Sequence, residues 1–275
     1  MLNPKLVAKI ESEDPARHLA VLIDADNASA SVIESVLAEI ATFGEATVKR
    51  IYGDFTSPNS SSWKKVLNKY AIKPVQQFAY TVGKNATDST LIIDAMDLLY
   101  TRRFDGFCLV SSDSDFTGLA TRIREEGLIV LGFGEEKTPE AFRNACHKFT
   151  PIEVLRPVIS QDSASVFANG TAPNPLTPVP AVPSTKQNAK QFPCEFVLQA
   201  LEKACDDSGW AHLGTFGSYL TKIQPDFDAR LFGFKKLSDL VKARTDIFQS
   251  EERSLPGSGG KVLYICAAES IKNRK

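Results

Sequence analysis

The chain lacks charge bias: 32 lysines and arginines face 33 aspartates and glutamates, a formal net charge of −1. No global basic field draws it to nucleic acid or to an anionic membrane surface, so any phosphate contact must come from local patches. Long apolar runs are missing too, and nothing in the sequence reaches the length of a bilayer-spanning segment. The opening residues, MLNPKLVAKIESEDPARH, lack the continuous apolar core of a signal peptide. Cysteine is sparse. Its five copies (Cys108, Cys146, Cys194, Cys205, Cys266) show no C-x-x-C spacing, and no second ligand pair completes a zinc site around Cys146–His147. Scattered thiols of this kind fit a reducing compartment, so the expected location is cytoplasmic. Histidine is scarcer still, three in all. His18 precedes the first expected strand and His147 follows the last expected helix of the first region, so no imidazole is placed there as a general base.

What is present is a repeated design of apolar strands that end in carboxylates. LAVLIDADN (19–27) ends in Asp24 and Asp26, and GFCLVSSDSDF (106–116) ends in Asp113 and Asp115. Between and around them, apolar runs alternate with helical periodicity. Strands are expected at 19–24, 46–55, 73–80, 106–112 and 128–134. Helices are expected at 29–44 (closed by Gly44), 61–70, 87–103 and 115–127 (stopped by Gly127). In the helix over 87–103, Ile92, Ile93, Met96 and Leu99 are expected to face inward. This alternation predicts an α/β fold, a parallel sheet of order 3-2-1-4-5 with helices on both faces. In that order the first and fourth strands are neighbours, and ligands bind beyond their carboxyl ends. Asp24 and Asp113 should therefore meet. Helix capping accounts for one Asp at a time, whereas DAD and DSD on one rim would repel unless a cation lay between them. Oxygen-only ligands suit Mg²⁺ or Mn²⁺. Asp88, in the first turn of its helix after a loop carrying Lys84, belongs to the same rim, where the helix dipole favours an anion.

Further along, Pro, Ala, Ser and Thr dominate 157–192, which reads as a flexible linker with too few large apolar residues to bury. The first unit is therefore set at 1–156 and the second at 193–268. The second has helical periodicity in EFVLQALEKAC and KKLSDLVKA, then two strands around RSLPGSGG, a winged-helix-like pattern. Trp210, Phe216, Leu220, Phe234 and Leu237 are expected in its core, and Lys235, Lys236, Lys242 and Arg244 are candidates for phosphate contact. The near balance of acids and bases leaves a protein partner as the alternative.

LIDADN, KNATDSTLIIDAMDL and LVSSDSDF, in this order, resemble the NYN domain, a PIN-like nuclease relative that includes bacterial LabA-like proteins. The resemblance covers about 18–155 and implies metal-dependent cleavage of RNA. It places the acidic site on Asp24, Asp88, Asp113 and Asp115, with Asn27 supporting the first. The family commonly has Lys-Gly-Val-Asp before the helix, whereas KNATD here is one residue longer. GWAHLGTFGSYLTKIQPDFDARLFGFKKLSDLV (209–241) resembles a LOTUS (OST-HTH) domain, which implies RNA or protein binding. Two alternatives stay open at this stage. One is a degenerate nuclease fold kept as an RNA-binding scaffold. The other is a haloacid-dehalogenase-type phosphatase with Asp24 as nucleophile, since IDADN is also similar to its Asp-x-Asp motif.

Overall fold

The structure is a computed structural model and describes residues 16–56, 61–78, 86–156, 192–254 and 261–268. Lys84 and the expected linker up to residue 191 lie outside these residues, as does the turn at 255–260. In chain order the first unit is β1 (His18–Asp24), α1 (Ile33–Ile40), β2 (Glu45–Gly53), α2 (Ser61–Tyr70), β3 (Lys73–Gln76) and α3 (Ala86–Tyr100). It continues with β4 (Gly106–Val110), α4 (Thr117–Glu125), β5 (Ile129–Gly134), α5 (Glu140–Ala145) and β6 (Lys148–Pro151).

All six strands are parallel, in the order β3-β2-β1-β4-β5-β6. The expected order is correct as far as it went. The short sixth strand, KFTP, carries too few residues for periodicity to reveal it.

Alternation along β1 decides which face each residue serves. Ala20 and Leu22 pack with Leu91, Ala95, Leu98 and Leu99 of α3. Leu19, Val21 and Ile23 pack with Ile33, Val36 and Ile40 of α1 and with Trp63 of α2. Asp24 follows in the register of Leu22, so it emerges on the α3 side. On β4, Phe107 and Leu109 lie on that same side, and Ser111 continues their register. The inward face of α3 differs from the expected one only at Ile93. Leu91, Ala95, Leu98 and Leu99 are buried, Ile92 and Met96 are half-buried, and Ile93 is exposed. Burying a Leu stabilises by roughly 1.5–3 kcal/mol, so the face bearing three leucines wins over the one bearing Ile93.

Two glycines expected to end helices act differently. Gly127 has φ +80°, a left-handed stop after α4. Gly44 is needed for space, because a Cβ there would lie 2.3 Å from the Arg17 carbonyl oxygen.

The second unit comprises α6 (Cys194–Ala204), β7 (Ala211–His212), α7 (Leu213–Ile223), α8 (Leu237–Ala243), β8 (Phe248–Ser254) and β9 (Lys261–Ala267). Its three strands form an antiparallel sheet of order β7-β9-β8. Phe216 and Leu220 are core residues, with Phe234 and Leu237 packed against them. Trp210 departs from expectation. It is half-buried, and the Arg253 guanidinium lies 4.7 Å from its ring centroid, between it and Tyr264. Phe192, counted with the linker from sequence, packs edge-to-face with Phe232 and under the Arg244 guanidinium, and so belongs to this unit. No helix among the described residues is long and apolar enough to cross a membrane.

A free tether would leave the two units without contact, and they are in contact. Arg230 grips Glu39 at the end of α1 with two bonds of 2.9 Å while holding Asp228 of its own unit. Within the first unit Lys148 lies 3.8 Å from the same Glu39, and across the units Arg143 pairs with Asp226. The Phe149 amide donates to the Pro225 carbonyl at 2.9 Å, which occupies an outward-facing donor of the β6 edge. The sequence reading saw acids and bases in balance but not that they sit on opposing surfaces. We expect Arg230→Glu to expand the molecule in small-angle scattering without altering its circular dichroism. An unchanged radius would mean that the backbone and apolar contacts hold the units together unaided.

Candidate metal centre

The central carboxylate, Asp24, is fully buried at the end of β1. Three donors compensate it. Ser111 Oγ donates to Oδ2 at 2.7 Å, Asn27 Nδ2 to the same oxygen at 2.8 Å, and the Asp26 amide to Oδ1 at 3.0 Å. Burial nonetheless dominates and raises its pKa, the hydrogen bonds opposing. Asn27 thus has the supporting place expected for it. Asp26 does not continue the strand. The chain turns after Asp24, so Asp26 stays on the rim and its charge also raises the pKa of Asp24 and of Asp88.

Ser111 is the residue that sequence reasoning passed over. It is buried at 2% exposure, bonds Asp24, and accepts the Asp113 amide at 3.1 Å. One hydroxyl thereby joins the end of β1 to the loop after β4. Its available signal was a serine in the inward register of a strand otherwise wholly apolar. Ser112 Oγ accepts the Glu135 amide at 2.8 Å and ties the same loop to the end of β5.

Asp113 caps the short 3₁₀ turn Ser114–Phe116, its Oδ1 accepting the Asp115 amide at 2.9 Å. Capping uses one oxygen and leaves the carboxylate on the rim. Asp88, in the first turn of α3, comes down beside it. Asp88, Asp113 and Asp115 each offer an oxygen, all within 4.8 Å of one another. Asp24 stands outside this group of three but close enough to act on it. The Asp88 carboxyl is pushed up to about 6, first by burial and then by the charges of Asp24, Asp113 and Asp115. At an effective dielectric of about 20, two unit charges at 4.8 Å repel by about 3.5 kcal/mol. That is a large fraction of a domain's net stability. The donors are all carboxylate oxygens, one of them on the exposed Asp115, so they fit a hard divalent cation that keeps positions for water or phosphate.

The phosphate candidates divide. Lys242 pairs with Glu252 at 3.0 Å and Arg244 with Asp246 at 2.8 Å. Lys235 and Lys236 are exposed and line a cleft of about 380 Å³ between the units, together with Lys148 and Arg230.

Comparison with known families matches residues 18–153 to the NYN domain and residues 190–258 to the OST-HTH/LOTUS domain. The chain carries an NYN domain followed by an OST-HTH/LOTUS domain. NYN domains belong to the PIN-like nuclease superfamily, and OST-HTH/LOTUS domains bind RNA. No curated protein matched the chain. Solved structures similar to parts of it include an uncharacterized protein of Nitrosomonas europaea, 57% identical over 36% of this chain and 91% of its own, with a TM-score of 0.28. A protein of unknown function from Vibrio parahaemolyticus is 19% identical over 50% of this chain and 94% of its own, TM-score 0.42. A Chromobacterium violaceum protein is 32% identical over 30% of this chain and 86% of its own, TM-score 0.24.

The NYN rim makes a stability prediction with a definite sign. The folded Asp88 holds its proton to about 6, against an ordinary 3.8. The folded state therefore binds more protons between those values, and stability falls as pH rises through that window. In metal-free protein, Asp88→Asn should raise the melting temperature well above that pH and leave it unchanged well below. Equal effects at both pH values would show that Asp88 carries no charge strain.

Proposed function

We propose that this protein is a metal-dependent ribonuclease that hydrolyses RNA phosphodiester bonds. One observation carries the reading: three carboxylates from two separate elements converge within 4.8 Å on the rim where the central strands end. Asp88, Asp113 and Asp115 would hold Mg²⁺ or Mn²⁺, with Asp24 completing the set from below. When bound, such a cation supplies Lewis acidity toward the scissile phosphate and eases deprotonation of water. The protein's part is placement. Asn27 and Ser111 fix the orientation of Asp24, and Ser111 fixes the Asp113 loop. The Asp113 cap fixes Asp115. Asp115, exposed, faces the side from which RNA arrives.

The OST-HTH/LOTUS domain would hold RNA for the NYN domain, with Lys235 and Lys236 as phosphate contacts. Since Lys242 and Arg244 are already paired, such binding rests on few charges and should be modest, with a shallow dependence on salt. A protein partner is the second reading, favoured by that same pairing. The phosphatase alternative would use Asp24 as nucleophile, and the buried, triply hydrogen-bonded carboxylate is poorly disposed to attack. The free cysteines suit a reducing compartment, so we place the enzyme in the cytoplasm.

In a cleavage assay on single-stranded and structured RNA, wild type should cut with Mg²⁺ or Mn²⁺ and stop in excess chelator. Asp113→Asn should lose at least about two orders of magnitude, as when a group stabilising the transition state is removed. Asp26 lies outside the group of three, so Asp26→Asn should lose much less. Robust cleavage in chelator would refute the proposal, and no cleavage by wild type on any RNA would favour the binding-scaffold alternative.

A further inference from the structure

Asp94 lies six residues beyond Asp88 on α3, about 9 Å along the helix axis. It neither reaches the rim nor faces water freely. Its Oδ2 accepts the Tyr52 hydroxyl at 2.5 Å, and its Oδ1 pairs with Arg50. The side chains of Arg50 and Asp94 are 24% and 21% exposed, and Tyr52 is fully buried. Burial and the neighbouring carboxylate hold the Tyr52 phenol protonated, so it serves as a donor throughout the physiological range.

Tyr52 is also tied to the metal rim from the other side. It is the direct partner of Asp24 in the β1–β2 register, and its carbonyl accepts the amide of Ala25, the residue after Asp24, at 2.9 Å. A single residue therefore touches both halves of the site. Its backbone bonds the chain beside Asp24, and its side chain bonds the helix that carries Asp88.

This connection meets a mechanical need. Asp88 shares the rim with Asp113 and Asp115, their oxygens within 4.8 Å of one another, and like charges that close repel. The buried apolar contacts of α3 begin only at Leu91. A part-buried ion pair contributes little net stability, because desolvation offsets the attraction. A bond of this kind does fix direction and rotation, which apolar contacts leave loose.

We infer that Asp94, Tyr52 and Arg50 form a positioning strut that holds Asp88 in register with Asp24 for cation binding. The strut rests on the metal-centre reading above. Its members touch neither cation nor RNA and act through Asp88.

The test is Mn²⁺ affinity, measured by calorimetric titration on full-length wild type, Tyr52→Phe and Asp94→Asn, with circular dichroism to confirm folding. Tyr52→Phe removes one hydroxyl from a filled site and keeps the ring, so it should fold even if Asp94→Asn does not. Loss of the strut should weaken Mn²⁺ binding by about tenfold, the scale of outer-partner effects at metal sites. Cleavage lost in the variants should return at high Mn²⁺. A purely structural role would lower the melting temperature and leave the affinity of the folded protein alone. Wild-type affinity in folded Tyr52→Phe overturns the strut while leaving the metal centre intact. Failure of wild type itself to bind Mn²⁺ overturns both.

Discussion

An ionisable group at zero exposure in the centre of a parallel sheet is the constraint around which this molecule is arranged. Asp24 ends the middle strand, and burial drives its carboxyl toward protonation. Each compensating contact also builds the rim. Ser111 answers Asp24 and thereby fixes the loop carrying Asp113 and Asp115, while Asn27 and the Asp26 amide shape the turn after β1. Remove the aspartate and the two strand ends lose their shared hydrogen-bond partner. Keep it, and a concentration of negative charge follows that a cation would relieve.

The parts of this arrangement legible in the sequence were those written in period and order. Apolar runs ending in DAD and DSD marked the strands and the switch point, because a short continuous apolar run in β1 and β4 is local information. Asp88 was legible as a helix-start acid. Ser111 was not, since a lone serine becomes informative only once the register places it opposite Asp24. On α3 only Ile93 was misplaced, for a related reason. Ile93 and Leu91 are equally apolar, and only the packing against Leu22 and Leu109 chooses between them. The sixth strand was hidden by its length.

Contact between the two units was beyond sequence reading altogether. Glu39 and Arg230 are ordinary charges 191 residues apart along the chain, Arg143 and Asp226 are 83 apart, and their pairing is a property of docked surfaces. The docking site is informative in itself. Glu39 ends α1 and Lys148 begins β6, so both lie toward the amino ends of the strands, away from the carboxylate rim. The OST-HTH/LOTUS domain is therefore held on the molecule without closing the mouth where RNA would be cut.

The central claim is that the rim carboxylates hold a divalent cation. The most direct measurement is a crystal grown with Mn²⁺ and examined by anomalous diffraction. The account predicts a peak ligated by Asp88, Asp113 and Asp115, with Asp24 close by and water completing the shell. A fully ordered rim without a peak, or manganese bound only elsewhere on the molecule, would contradict it.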